Sequence, residues 1–378
     1  MKISKFKVDN GLLTLIIVLA GISIITLWHA KYVIDPKLYD NFEVKQAVWY
    51  AIGFVGAYFV MFIGTDLIYR NAFLLYALGV LSLIVLMLAP PSIARPINDT
   101  KAWFQFPGGS IQPSEFVKIF IIILNAKIIH HFNESNLNPS VRDEFFLIVK
   151  IAIVALIPSI FIFIQPDTGL ILIIALICLS MLYASGIRRM WFIIFFGISG
   201  VVGTVIFYLA INDPETLLPI FGDFAYRIRR IVMFAENSSY QLEHGLRAMG
   251  SGGLLGHGFG NVAYGIPFGH TDFIFTVFGA IFGYVGVIIL FFIFITLDVK
   301  ILQIGFSSYK RINRYTTAGI LGMLLYQQVQ NIGMCLGLLP ITGITLPFIS
   351  YGGSSLLSFM LIIGILFTIS NEQMRYRN

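Results

Sequence analysis

Residues 272–297 read DFIFTVFGAIFGYVGVIILFFIFITL, and beyond Asp272 the stretch holds no charged side chain. As a helix it is long enough to cross a bilayer core of about 30 Å. The same reading extends outward on both sides. Apolar runs of spanning length occupy roughly 11–29, 47–64, 72–90, 114–131, 146–164, 168–185, 190–210, 315–336 and 351–370. With 272–297 they make ten. The fold expected is all-α, a polytopic integral membrane protein with about ten transmembrane helices and a long extracellular loop between spans seven and eight.

Composition agrees. Of 378 residues 57% are apolar and 12% charged, against roughly 25% charged in a soluble domain. Length alone would suggest two soluble domains, but the apolar runs overrule it. The net charge of +6 is not a nucleic-acid footprint, because the cations sit in short loops between apolar runs. Lys2, Lys5, Lys7, Arg70, Arg188, Arg189, Lys310, Arg311, Arg314, Arg375 and Arg377 all fall on one side of a ten-span chain. The positive-inside rule then places both termini, 1–10 and 371–378, in the cytoplasm, around a single membrane domain. Leu12–Trp28 reads as a span rather than a cleavable signal, since no small-residue cleavage site follows it. Cys178 and Cys335 lie within apolar runs and read as small hydrophobes, not as a disulfide or zinc framework.

The unusual sequence gathers on the other side, in Pro91–Pro113, Ile211–Thr271 and Gly337–Tyr351. The middle segment, 211–271, mixes aromatics, Arg and Gly with apolar stretches. That mixture predicts short amphipathic helices at the membrane interface, separated by glycine turns.

Polar residues beside transmembrane helices are costly and so are candidates for function. Gln112-Pro113-Ser114-Glu115 precedes Lys118, which puts Glu115 and Lys118 three apart on one helix face; they form either a structural ion pair or the lining of an outward-facing polar cavity. In Gln165-Pro166-Asp167-Thr168-Gly169, helix capping alone accounts for Asp167. His270-Thr271-Asp272 stands at the mouth of the long apolar span. There an apolar wall would raise the pKa of Asp272 and suit a general base. Finally, Thr342–Ser355 is rich in Pro, Gly and hydroxyls at another helix mouth. Its amides and hydroxyls, among them Ser354 and Ser355, suit a phosphate or a sugar.

In this order and on this topology, the strings WFQFPGGSIQPSEFVK, QPDTGL, AMGSGGLLGHGFG, HTDFIF and GLLPITGITLPFISYGGSSLL resemble the SEDS family (shape, elongation, division and sporulation), the RodA and FtsW type. The resemblance covers most of the chain from Trp103 to Leu357. It implies a peptidoglycan glycosyltransferase that polymerises lipid II at the outer membrane surface, beside a class B penicillin-binding protein. The family's essential acid carries over to Asp272, and its motif Glu and Lys to Glu115 and Lys118. A carboxylate taking the acceptor's proton suits this chemistry. The lipid diphosphate leaving group needs cations rather than a second acid. Lys118, Lys101, Arg227, Arg229, Arg230 and Arg247 are the candidates, with Gln112 beside them in the substrate site. No cofactor follows from the residues and no metal ligands stand out, although a divalent cation, Mg or Mn, would suit a diphosphate.

Two departures are visible. Many members carry adjacent acids after the TDFIF motif, where this chain reads Phe278-Gly279-Ala280-Ile281-Phe282-Gly283. Ala102 stands where many have Arg. The alternatives are a lipid II flippase and a non-catalytic scaffold for a penicillin-binding protein. The overall string pattern leans toward the elongation type.

Overall fold

The computed structural model describes residues 7–33, 40–96, 100–106, 109–213, 225–236, 239–260 and 265–376. Lys2, Lys5 and Arg377 lie outside them, as do the side chains of Arg227 and Arg375. Every expected span is a helix. These are α1 (Asn10–Ala30), α2 (Phe42–Ile63), α4 (Ala72–Leu88), α5 (Pro113–Ser135), α6 (Val141–Ile164), α7 (Thr168–Ser185), α8 (Arg189–Asn212), α11 (Ile274–Ser307), α12 (Arg311–Cys335) and α13 (Gly353–Tyr376). Short helices α3 (Thr65–Arg70), α9 (Ala225–Ala235) and α10 (Tyr240–Ser251) complete the set. Seven of the long helices are apolar and long enough to cross a membrane, and α4 is a shorter apolar one. α5 and α12 are more polar, because they bury hydrogen-bonding side chains inside the bundle.

The helices start where local chemistry directs. Asp9 accepts from the Leu12 N–H, and Ser140 and Asp143 close a capping box ahead of α6. Pro113 occupies the first turn of α5, where a missing N–H costs nothing. Gly186 ends α7 at φ +84, a left-handed conformation that favours glycine.

α13 is the axis of the bundle, with 83% of its apolar window buried, whereas none of the corresponding window of α8 is. A Cβ on Gly364 would stand 2.8 Å from the Ala57 backbone, so α13 and α2 pack closely. Val55, Phe62, Phe73 and Phe292 stand exposed on the outside. Such a belt suits a lipid surround, not water.

Three features depart from the sequence reading. A two-stranded antiparallel hairpin, β1 (Phe104–Phe106) with β2 (Gly109–Ile111), forms in a segment read only as loop. α11 runs past 297 to Ser307, and its Lys300 pairs with Asp9 at 2.9 Å. α11 is also broken at Gly283 (φ 64, ψ −165). There the glycine-rich stretch after α10 supplies the missing hydrogen bonds: His257 N to Ala280 O (2.9 Å), Gly258 N to Ile281 O (3.1 Å), Tyr284 N to Gly253 O (3.0 Å) and Val285 N to Leu254 O (3.1 Å). A break inside a spanning helix is tolerated only when other backbone satisfies it. The Gly279-Ala280 stretch, without acids, lies against this insert: a Cβ on Gly279 would stand 2.6 Å from Met249 Cγ.

Candidate active site

The segments joining the helices at the end that carries the long loop converge on one cavity of about 1530 Å3. Its wall is built from the α1–α2 junction with the start of α2, the hairpin region with Gln112 and Glu115, residues 166–173, Arg230, Tyr240 and His244, residues 265–272, Gln327 and the 342–355 segment. The three outer segments singled out from sequence all contribute, as does the Gln165–Gly169 turn.

Asp272 sits in the turn before α11. The three consecutive carbonyls leading to it are each held. Tyr351 N donates to His270 O at 2.9 Å, Ser350 Oγ to Thr271 O at 2.8 Å, and Asn331 Nδ2 to Asp272 O at 2.8 Å. The HTD and ISYGG strings, some eighty residues apart, are therefore one substructure. Fixed in this way, the Asp272 carboxylate lines the cavity. Burial first, then the nearby Asp167 carboxylate, push its pKa up to about 6, partly offset by Arg230.

Asp167 caps α7, accepting from Leu170 N at 3.1 Å, as the sequence indicated. It also lines the cavity and accepts from Gln112 Nε2 at 3.1 Å. Burial raises its pKa above the usual carboxylate range. A capping reading alone therefore missed half of its surroundings.

Glu115 lines the cavity, but Lys118 is buried behind it. The Lys118 ammonium pairs with Glu115 and stands 4.8 Å from the ring centre of Phe359 on α13, while Ser358 Oγ donates to the same carboxylate at 3.1 Å. Both earlier readings of this pair are thus partly met: an ion pair, with its acid turned to the cavity. The ammonium itself does not reach the cavity. Gln112, Ser354 and Ser355 do line it. Ser354 Oγ accepts from Gln112 N (2.9 Å) and donates to Ser110 O (3.0 Å), so it fastens the hairpin to α13.

The expected cations separate. Arg230 on α9 lines the cavity. Arg229 is exposed on the same helix and is not among the lining residues, and the side chain of Arg227 lies outside the described residues. Lys101 corrects its sequence reading: its ammonium caps α4, donating to Met87 O (2.9 Å) and Ala89 O, because the backbone there leaves carbonyls unpaired. Arg247 also stands away from the cavity, paired with Glu243 one turn back on the exposed face of α10. Charge in the sequence did not say which way these side chains point. Lys45, not singled out earlier, does line the cavity.

An aromatic wall also went unread. Phe42, Trp49, Trp103, Tyr240 and Tyr351 face the cavity, and Phe42 stacks on His270 at 4.3 Å. Burial pushes the His270 pKa down to about 4, so its ring is neutral at ordinary pH. Among the described residues no three His, Cys, Asp or Glu side chains gather as a metal site. Together the cavity offers carboxylates, an arginine, hydroxyls and flat aromatic faces. That set suits a phosphorylated carbohydrate.

Comparison with known proteins points the same way. The profile of the cell cycle protein family FTSW_RODA_SPOVE matches residues 10–375. A protein of Trichlorobacter lovleyi described as "Probable peptidoglycan glycosyltransferase FtsW" is 30% identical over 375 residues, covering 96% of this chain and 93% of its own. Stage V sporulation protein E of Bacillus subtilis is 30% identical over 384 residues, covering 98% and 99%. Among solved structures, a chain of a peptidoglycan synthase complex superposes with a TM-score of 0.78 at 24% identity, covering 98% of this chain and 99% of that one. The rod-shape-determining protein RodA of Thermus thermophilus gives 0.68 at 24% identity, covering 97% of each.

Proposed function

The chain belongs to the FtsW, RodA and SpoVE family of cell cycle proteins, and from that premise we propose that it is a peptidoglycan glycosyltransferase that polymerises lipid II, with Asp272 as general base. One observation carries the reading: Asp272 is fixed through its backbone while its carboxylate opens on the cavity with a pKa of about 6. A base poised near working pH is ionised there yet retains affinity for a proton.

In the reaction, the acceptor sugar's hydroxyl oxygen bonds to the donor's anomeric carbon. The carbon–oxygen bond to the lipid diphosphate breaks, and the hydroxyl proton passes to a carboxylate oxygen of Asp272. The departing diphosphate gains negative charge, which Arg230 offsets across the cavity. The aromatic wall gives sugar rings flat apolar faces, and Gln112, Ser354 and Ser355 offer hydrogen bonds. A prenyl tail stays in lipid while the saccharides occupy the cavity. The divalent cation expected from the diphosphate chemistry finds no cage among the described residues, and no step above runs through one.

Positive-inside reasoning puts the cavity on the outer face of the cytoplasmic membrane, with both termini inside. A class B penicillin-binding protein is the proposed partner; the similar chain from a peptidoglycan synthase complex supports it. We assign the protein to wall elongation and shape on the string pattern. Depletion from living cells separates the roles: rounding supports elongation, filaments indicate division, and a defect confined to spores indicates sporulation.

A transporter needs a ligand site near the midplane, whereas these carboxylates stand at helix mouths. Reconstitution in vesicles with lipid II and a candidate partner tests the reading. Glycan strands are expected; translocated lipid II without glycan would replace this proposal with transport.

A further inference from the structure

We propose that Asn331, on α12 and outside every motif singled out above, is the positioning residue that sets where the Asp272 carboxylate stands. The inference rests on the catalytic reading of Asp272. Asn331 has no exposed surface, and an amide buried in a spanning helix is unfavourable unless its hydrogen bonds are made. Its Nδ2 makes two, to Asp272 O at 2.8 Å and to Ile344 O at 2.7 Å, while its Oδ1 meets no partner among the described residues. Neither carbonyl belongs to α12. One lies in the turn that carries the base, the other in the irregular segment 340–346.

Those two segments meet at the carboxylate. A Cβ on Gly343 would stand 3.6 Å from Asp272 Oδ2, so the side chain rests against the backbone one residue before Ile344. Gly343 has φ +75, which favours glycine and leaves this space open. A single amide group thus ties together the two backbones between which the base sits. Tyr351 and Ser350 hold the preceding two carbonyls from the same 342–355 segment, and Asn331 completes the series from a separate helix. Gln330 steadies the start of that segment, donating to Pro340 O at 2.9 Å.

The charged groups that act on Asp272 are Asp167, at the start of α7, and Arg230 on α9. Asn331 adds no charge, and it bonds the backbone of Asp272 rather than its carboxylate. Its effect is placement. Only an N–H2 at this distance bridges both carbonyls, so Asn331→Leu, close in volume and uncharged, loses the bridge without adding a charge beside Asp272, and Asn331→Ser, whose hydroxyl has one proton, keeps at most one of the two bonds.

The test uses the full chain in nanodiscs with two readouts. In lipid II polymerisation, both variants are expected to lower kcat roughly ten- to hundredfold, the cost of losing buried hydrogen bonds and displacing the base, with KM little changed. The second readout is carbodiimide modification of the Asp272 and Asp9 carboxyls against pH, quantified by peptide mass spectrometry. Asp272 should titrate in the variants at a lower pH than in the parent, moving toward the ordinary carboxylate range, while Asp9, which caps α1 and pairs with Lys300 away from the cavity, keeps its midpoint. Asn331→Ser is the variant expected to stay monodisperse. A monodisperse variant with the parental Asp272 midpoint overturns the proposal, as does one in which Asp9 moves together with Asp272, which marks general loosening. If Asp272→Asn itself polymerises normally, the catalytic reading fails, yet the labelling midpoints still decide whether Asn331 places the carboxylate.

Discussion

Gln112 Nε2 donates to Asp167 Oδ2 at 3.1 Å, and through this contact the start of α5 is joined to the start of α7 on the cavity wall. The other oxygen of Asp167 caps α7. One carboxylate therefore holds two helix mouths together and presents negative charge to Asp272.

Asp167→Asn should keep the cap, since asparagine caps as well as aspartate, but remove that charge. Asp167 is one of the causes that raise the Asp272 pKa. The acid limb of the pH–rate profile should then move to lower pH, a shift measurable in initial polymerisation rates. An unmoved limb would mean that the two carboxylates do not sense each other.

Asp272→Asn should stabilise the fold. Folded Asp272 titrates near 6 and its unfolded form near 3.8. Between these values the folded state keeps a proton that the unfolded chain has lost, so stability falls as pH rises through the window. At neutral pH the ionised side chain then costs up to about 3 kcal/mol. Denaturant unfolding in mixed micelles should show the variant more stable near neutrality, with the gain shrinking as pH drops below 6. Arg230 partly offsets the cost, and neutral His270 adds no charge.

Lys118→Ala leaves the Glu115 carboxylate buried with only Ser358 to serve it. A loss of about 3–5 kcal/mol is expected, the usual consequence of breaking one side of a buried pair. Replacing both partners, Glu115→Gln with Lys118→Met, should recover most of it. Thermal unfolding of the purified protein checks the order; a double variant no better than the single would contradict a structural pair.

Glycine substitutions should separate the broken helix from its surroundings. A Cβ on Gly256 would stand 2.0 Å from Ile281 O, and Gly256 has φ +80. Gly253 also has a positive φ, +56, but open space around it. Gly253→Ala should cost about 1–2 kcal/mol from backbone strain alone. Gly256→Ala should cost more, because backbone itself must move, and should show as a lower yield of monodisperse protein.

The ten spans were legible because each buries or offers to lipid an apolar run that no soluble fold would keep. α5 and α12 were legible too, despite their polar side chains, because their length and neighbours fixed them as spans. The hairpin at 104–111 was not legible, since three-residue strands leave no periodic pattern. Nor was the break at Gly283: glycine in a spanning helix usually signals close packing, and only the partner backbone reveals the opening. Asp272 stood out because it sits beside a long uncharged run. Asn331 did not, because an amide within an otherwise ordinary span gives no hint of which carbonyls it meets. Lys101 shows the opposite failure, since its charge suggested an anion when its nearest need was the uncapped end of α4.

The most direct test is glycan polymerisation from lipid II by purified wild-type protein and the Asp272→Asn variant, each with a class B penicillin-binding protein present. Wild-type protein should build strands and the variant, equally folded, should build none above background. Strands of wild-type length from Asp272→Asn would contradict the central claim.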